Sequence, residues 1–377
     1  MRLVGIANKD TTVLRYQMRD LLWGFEQLGH ETEIMFFDPA QPQEEVTAFI
    51  AKSDVLVGIT AGRWRFPPGM IAADKPVWLY DQDNECGMIQ TEQFTEHDHI
   101  WTLLPSWAEE LNNRGIKAHH MPPGVNKDIF FADDTPRNDK VIFIGNHYPG
   151  RDTQILDSLP PGVSADIRGA YEYFRSSLSF DVRVDEALTA YYQEKRPDWN
   201  LEATQNYIRP EHRKHLELAM HYWHRQFWVT ELVKQLGDRI ELYGHGWEQW
   251  PDNNKGPVEN GEESAKLLRQ AGCVIYLHPF TVCHPRLFEA AACGAPVVVG
   301  TPDDLLTTYF HTSAIYETLT IDDMAKTIEG VLNGELDAAV TGKNAAEAAQ
   351  DWHGFDKRAA QMIKDAEEDI KERADDG

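Results

Sequence analysis

The 377 residues are 42% hydrophobic and 26% charged, which supplies apolar side chains for about two domain cores and excludes wholesale disorder. Acids outnumber bases, 61 against 36, and the formal charge of −25 excludes a protein that coats nucleic acid or an anionic membrane by bulk attraction. Four cysteines without a C-x-x-C pair exclude a disulfide framework and fit a reduced, cytoplasmic setting.

In chain order, Leu3–Ile6 reads as a strand and not as part of a signal peptide. Thr12–Leu28 reads as a helix, with Leu14, Met18, Leu21, Leu22 and Phe25 at helical spacing and Gly29 as its stop. Ile34–Phe37 is a second strand. Asp54–Ile59, Val77–Tyr80 and Ile100–Leu104 are continuous apolar runs of the kind buried on both faces of a parallel sheet. Ser106-x-x-Glu109 has the spacing of a capping box and predicts a short helix ending at Gly115.

Met121-Pro-Pro-Gly-Val125 then breaks the rhythm, as a stiff connection between domains would. A second sheet is expected from Val141–Ile144, Ile240–Tyr243, Val274–Leu277 and Pro296–Val299. Between its first strands, about residues 170–236 form a helical elaboration crowded with aromatic, His and Arg residues. Acid-rich helices close the chain, and no apolar stretch approaches the ~18 residues of a membrane span. The expected architecture is α/β: two Rossmann-like domains facing a cleft, residues 1–122 and 123–352, with residues 353–377 as a C-terminal helix that packs back across them.

In open α/β sheets ligands bind beyond the carboxyl ends of the strands, which directs attention to four loops. Gly145 and Asn146 follow a strand and lead to Arg151, which could meet a phosphate. Tyr243, Gly244, His245 and Trp247 could sit beside a planar ligand; a glycine turn with Trp247 in the core fits the same residues. The third loop, from His278, carries Thr281, Cys283, His284, Pro285, Arg286, Leu287 and Glu289. Pro285 suits the first helical turn and makes His284 the N-cap, so that the helix N-terminus and Arg286 could face a diphosphate while Glu289 takes sugar hydroxyls.

The fourth loop belongs to the first half. Asp81 and Asp83 follow a strand, and a carboxylate there could deprotonate an acceptor hydroxyl, Asp83 being slightly preferred. Residues 1–80 carry 8 Lys/Arg against 10 Asp/Glu, nearly balanced in an acidic chain. Lys9, Arg15, Arg19, Arg63, Trp64 and Arg65 could therefore line an acceptor side suited to a phosphate-bearing acceptor with a planar group, nucleic acid included. Arginines paired with nearby acids are the alternative. The histidines lack zinc-type spacing, so no metal site is expected, although a loosely held Mg²⁺ could ride on a diphosphate.

The run from His278 to Val299, with Pro-Arg-Leu-Phe-Glu-Ala-Ala-Ala-Cys-Gly-Ala-Pro at its centre, resembles the donor-site motif of GT-B glycosyltransferases, in the form found in spore-maturation-type relatives. Phe143–Pro149, Leu242–Trp247 and Met121–Phe130 resemble the same group. The resemblance implies a nucleotide-sugar donor, a UDP-sugar first of all, with no tightly bound cofactor. It implies that Glu289 holds the ribose, that residues 281–286 lie along the diphosphate and sugar, and that residues 243–247 lie near the base. Many retaining members carry a further glutamate where this chain has Thr281, which leaves the sugar's identity and the retaining outcome open. The acceptor would be a hydroxyl compound: hydroxymethylated bases of phage DNA, or a polysaccharide, glycolipid or protein. A nucleotide-sugar epimerase or hydrolase, or a silent sugar-nucleotide-binding module, would use the same scaffold.

Overall fold

The computed structural model describes the chain apart from residues 9–11, 39–40, 61, 63–64, 83–93, 178–183, 196, 199–209, 279–282, 301–303, 311–312 and 377. Its framework is two six-stranded sheets in which every pairing is parallel. The first contains β1 (Arg2–Asn8), β2 (Glu31–Phe37), β3 (Val55–Ile59), β4 (Val77–Asp81), β5 (His99–Thr102) and β6 (Ala118–His120), in the order β2-β1-β3-β4-β5-β6. The second contains β7 (Val141–Ile144), β8 (Ile240–Tyr243), β9 (Asn254–Gly256), β10 (Cys273–Tyr276), β11 (Val297–Val299) and β12 (Tyr316–Glu317), in the order β12-β11-β10-β7-β8-β9.

The sequence of these strands explains their place. β3, β4 and β10 are buried along their whole length, as central strands covered on both faces must be. Edge strand β2 alternates exposed and half-buried residues instead. The very short β6, β9 and β12 carry too few apolar residues to be read as strands from the sequence.

In the first domain, helices α1 (Thr12–Gln27), α2 (Gln43–Ala51) and α3 (Pro105–Asn113) pack on the sheet. α1 matches its expected span, and Gly29, at φ 81°, ends it in the left-handed conformation that glycine adopts without strain. α3 begins differently from expectation. Pro105 occupies the first helical position behind Leu104, and no side chain caps the start. The fixed φ of proline opens the helix, so Ser106 and Glu109 lie inside it and do not form a capping box.

The second domain carries α4 (Arg151–Asp157), α5 (Pro161–Ser177), α6 (Val184–Lys195) and α7 (Pro210–Leu236) between β7 and β8. The elaboration thus starts at about residue 151, earlier than the 170 expected. It has a core of its own, including Ile155, Leu156, Ile167, Phe174, Leu188 and Leu216. α7 bridges two cores: Leu216, Ala219 and Met220 join the insert, whereas Trp228, Val229, Leu232 and Val233 join the second sheet. α8 (Glu262–Gln270), α9 (Pro285–Ala292), α10 (Asp304–Tyr309), α11 (Ile321–Leu332), α12 (Ala338–Trp352) and α13 (Phe355–Asp376) complete the chain.

The chain passes between the domains twice, and the two passages are tied together. Val125 N–H donates to His353 O at 2.8 Å and Phe355 N–H to Val125 O at 2.9 Å. Beyond this point α13 docks on the first domain. Asp365 accepts from Trp101 Nε1 at 2.8 Å, and the buried Asp369 is met by His99 Nδ1 at 2.9 Å, Lys117 Nζ at 2.6 Å and His119 Nε2. Burial alone would raise the Asp369 carboxyl, but the bonds from Lys117, His119 and His99 hold it below the usual range. No described helix is long and apolar enough to cross a membrane.

Candidate donor and acceptor sites

Each sheet reverses its strand order once. In the first the reversal lies between β1 and β3, and in the second between β7 and β10. Such crossovers open a crevice beyond the strands' carboxyl ends.

The loop after β7 is zipped to the loop after β8. Gly145 N–H donates to Tyr243 O and His147 N–H to His245 O, both at 2.8 Å, and Asn146 Oδ1 accepts from His245 N–H at 3.0 Å. The approach is close enough that a Cβ on Gly244 would stand 2.5 Å from Gly145 O, and one on Gly246 would collide with His147 O. Gly244 at φ 140° and Gly246 at φ 88° are therefore required twice over, for conformation and for space. Gly246→Ala is expected to cost about 2 kcal/mol of stability, read from the urea midpoint; an unchanged midpoint would show that the two loops are not locked in solution.

Trp247 completes this zipper. It is fully buried, its indole N–H donates to Gly145 O at 2.8 Å, and its ring stacks on His147 at 4.7 Å. A ring enclosed in this way cannot stack on a base, so the expectation of base contact from Trp247 is replaced by a role in holding the Gly145–Asn146 loop. His245 is exposed, and Tyr243 is half-buried with its hydroxyl donating to Glu241 at 2.9 Å. Arg151 is exposed and donates to Gln154 on its own helix at 3.3 Å.

At the other side of the crevice, α9 begins as its sequence requires. His284 is the N-cap, its Nδ1 accepting from Arg286 N–H at 3.2 Å, and Pro285 is the first helical residue. Glu289 lies one turn deeper, 5% exposed, and Arg286 Nη1 stands 2.7 Å from its Oε2 and 3.3 Å from Asn260 Oδ1. Burial pushes the Glu289 carboxyl up, and the Arg286 cation and Asn260 partly restrain it. Leu287 is wholly buried in the main core and Cys283 donates to Leu103 O of the first domain at 3.2 Å, so neither faces a ligand as expected. Thr281 lies outside the described residues.

The first domain reaches this region through α1. Tyr16 is held between two guanidiniums, Arg15 Cζ at 5.1 Å and Arg19 Cζ at 4.8 Å from its ring centre. A Cβ on Gly261 would stand 3.2 Å from Arg19 Nη2 and 3.8 Å from the Tyr16 ring, and Arg15 lies 3.9 Å from Glu259. Arg15 and Arg19 thus border the 259–261 loop of the second domain, Arg15 half-buried and Arg19 exposed. Next to them Asp20, 3% exposed, accepts from Asn126 Nδ2 at 3.1 Å. Burial raises its carboxyl to about 7 against the restraint of Asn126 and Arg19, and the charge of Glu289 adds to the rise. Asp20 was not singled out in the sequence, although an aspartate directly before the apolar Leu21-Leu22-Trp23 is the signal that could have found it.

Of the acceptor-side candidates, Lys9, Arg63, Trp64 and Asp83 lie outside the described residues. Arg65 is exposed. Asp81 ends β4 and is completely buried, which removes it as a carboxylate open to the cleft. Two residues not foreseen as site residues come from the insert. Arg225 on α7 donates from Nη1 to Asn146 O at 3.0 Å and from Nη2 to His221 Nε2 at 3.0 Å. The His221 ring lies tilted against His278, 4.7 Å between ring centres, just past the end of β10. Among the described residues no group of three His, Cys, Asp or Glu side chains could hold a metal ion.

Residues 224–364 match the family model described as glycosyl transferase-like. No curated protein sequence matches the chain. Among solved structures, a sucrose-phosphate synthase from Thermosynechococcus elongatus superposes with a TM-score of 0.51 at 13% identity, covering 97% of this chain and 98% of that one. HepE from Anabaena, solved with UDP and glucose, superposes at 0.53 and 11% identity, covering 97% and 100%. AviGT4, a glycosyltransferase of avilamycin A biosynthesis, superposes at 0.50 and 13% identity, covering 97% of each chain. At these identities the likeness is one of fold, and the fold is that of GT-B glycosyltransferases.

Proposed function

We propose that the protein transfers a sugar from a nucleoside diphosphate, UDP first of all, to a hydroxyl acceptor docked on the first domain. The observation that carries this reading is the buried Glu289–Arg286 pair one turn inside α9, beside the β7/β10 crossover and within the stretch that matches the glycosyl transferase-like model. A carboxylate in that position accepts ribose hydroxyls, while the helix N-terminus above it favours the negative diphosphate. The reading is supported further by the fold shared with HepE, whose structure contains UDP and glucose. A metal is not needed for it; Mg²⁺ on the diphosphate would be held chiefly by the phosphates themselves.

For the modified-DNA version of the acceptor, Arg15 is drawn toward Glu259 while Arg19 stays exposed. Arg19 and the charged aromatic loop around Arg65 favour it and the overall charge of −25 weighs against it, so the general reading, a hydroxyl acceptor of any class, is preferred. Asp83 is the proposed acceptor base, since Asp81 is enclosed. The direct test is a panel of labelled nucleotide sugars against duplex DNA with hydroxymethylated bases, polysaccharide, glycolipid and protein acceptors. Label in one acceptor class is the expected result. Free sugar or an epimer formed without acceptor would move the assignment to a hydrolase or epimerase.

Glu289→Gln is expected to weaken UDP binding about tenfold to a hundredfold, the worth of hydrogen bonds to a charged group. Calorimetry measures it, and equal affinity for the two proteins would remove Glu289 from the ribose site.

A further inference from the structure

The helical insert brings an unspent pair of donors to the second domain's crossover. His221 Nε2 faces Arg225 Nη2 at 3.0 Å, and a guanidinium can only donate. The His221 ring must therefore accept at Nε2 and carry its proton on Nδ1. That Nδ1 is buried and has no partner among the described residues, and neither has the buried Nε of Arg225. Leaving two buried donors unmatched costs about 1–3 kcal/mol each, a cost that proteins retain where a ligand meets the groups.

Their surroundings define the ligand. Arg225 also donates to Asn146 O, and its guanidinium carbon would lie 3.8 Å from a Cβ on Gly145, so the pair sits against the glycine loop after β7. His278 closes the other side at the end of β10, its ring 6.4 Å from that of the N-cap His284. Burial, with the Arg225 cation, keeps His221 neutral and well below its usual range, so its N–H remains a donor beside the positive charge of Arg225.

We propose that His221 and Arg225 of the insert form the anion-receiving pair of this crevice and take the diphosphate through the Nδ1–H of one and the Nε–H of the other. The assignment deepens the donor reading above and rests on it for the identity of the anion. It also accounts for the insert, because α7 is anchored in the core of the second sheet at its C-terminal half, which fixes where these two side chains stand.

Calorimetry on the full chain with inorganic pyrophosphate, and separately with UDP, tests the pair. His221→Phe keeps the ring and removes the donor, and it should lower both affinities about tenfold or more. His221→Asn places an amide N–H near the Nδ1 position and should recover most of that loss. Arg225→Lys keeps the charge without the Nε–H and should also bind weakly. Thermal melts of the three proteins establish that they are folded. Equal pyrophosphate affinity in folded His221→Phe and wild type, or no pyrophosphate binding by wild type, would overturn the pair. Pyrophosphate binding that depends on His221, with no nucleoside diphosphate bound, would uphold the pair and overturn the donor reading. UDP binding indifferent to all three substitutions would do the reverse.

Discussion

Lowering the pH from 7.5 to 5 will remove several kcal/mol of folding stability, through histidines that the fold keeps neutral. Burial pushes His224 down to about 3, helped by the Arg225 cation, and pushes His353 down to about 3, helped by Arg358. His221 and His278 are driven well below the usual value, again by burial first. In the unfolded chain each takes up a proton near pH 6.5, and in the folded chain it does not. The unfolded state thus binds more protons below about pH 6.5, and stability falls with pH from there down to the folded values.

Two carboxyls oppose this. Asp20, raised to about 7, and Glu289, also raised, take their protons in the folded state first, so they add stability as the pH falls toward their unfolded values. Burial and the Arg286 cation also push His284 down to about 3, so five histidines against two carboxyls leave a net of about three protons, roughly 4 kcal/mol per pH unit between about 6.5 and 4.5. A domain pair holding about 5–15 kcal/mol will be near its unfolding midpoint by about pH 4.5. Urea unfolding at pH 7.5, 6.5 and 5.5 measures the slope. A midpoint that stays level, or rises as pH falls, would mean that these histidines are protonated in the folded protein.

The two sheets were legible because burial on both faces forces long apolar runs: Asp54–Ile59, Val77–Tyr80 and Val274–Leu277 each contain the observed strand or most of it. The start of α9 was legible too, since Pro285 and His284 announce it locally. What the sequence concealed depends on contacts between distant segments. Arg15 and Arg19 share a polar helical face, and nothing local tells that Gly261, more than 240 residues on, borders it. Arg225 reads as one charge in an aromatic helix, and its partner Asn146 lies 79 residues earlier. Trp247 could have stacked on a ligand or packed inside; only the zipper to Gly145 decides that it packs. α7 gives no single apolar stripe because its two halves serve two cores, so periodicity could find the helix but not its role.

Replacing Arg358 by Met is expected to cost about 3–5 kcal/mol and to loosen the hinge, because this side chain joins both interdomain passages. It is 6% exposed, its Nε and Nη2 each donate to Pro123 O at 3.3 Å, and Nη2 donates to His353 Nδ1 at 2.5 Å. His353 in turn donates from Nε2 to Tyr309 O at 2.8 Å, which fixes its proton on that nitrogen. Methionine keeps much of the apolar stem but leaves Pro123 O and His353 Nδ1 buried and unmatched, each costing about 1–3 kcal/mol on top of the lost charge-assisted bonds. Removing the cation also removes one of the two influences that depress His353, whose pKa should rise yet stay below the ordinary value because burial remains. Urea unfolding reads the first effect, and proton exchange at the Val125 and Phe355 amides reads the second, since those two bonds tie the passages together. Faster exchange at both amides, beyond the fall in global stability, identifies Arg358 as the hinge fastening. A stability change below about 1 kcal/mol with unaltered exchange would mean that the passages hold without it. The domains would then be oriented instead by the docking of α13 on the first sheet through Asp365 and Asp369.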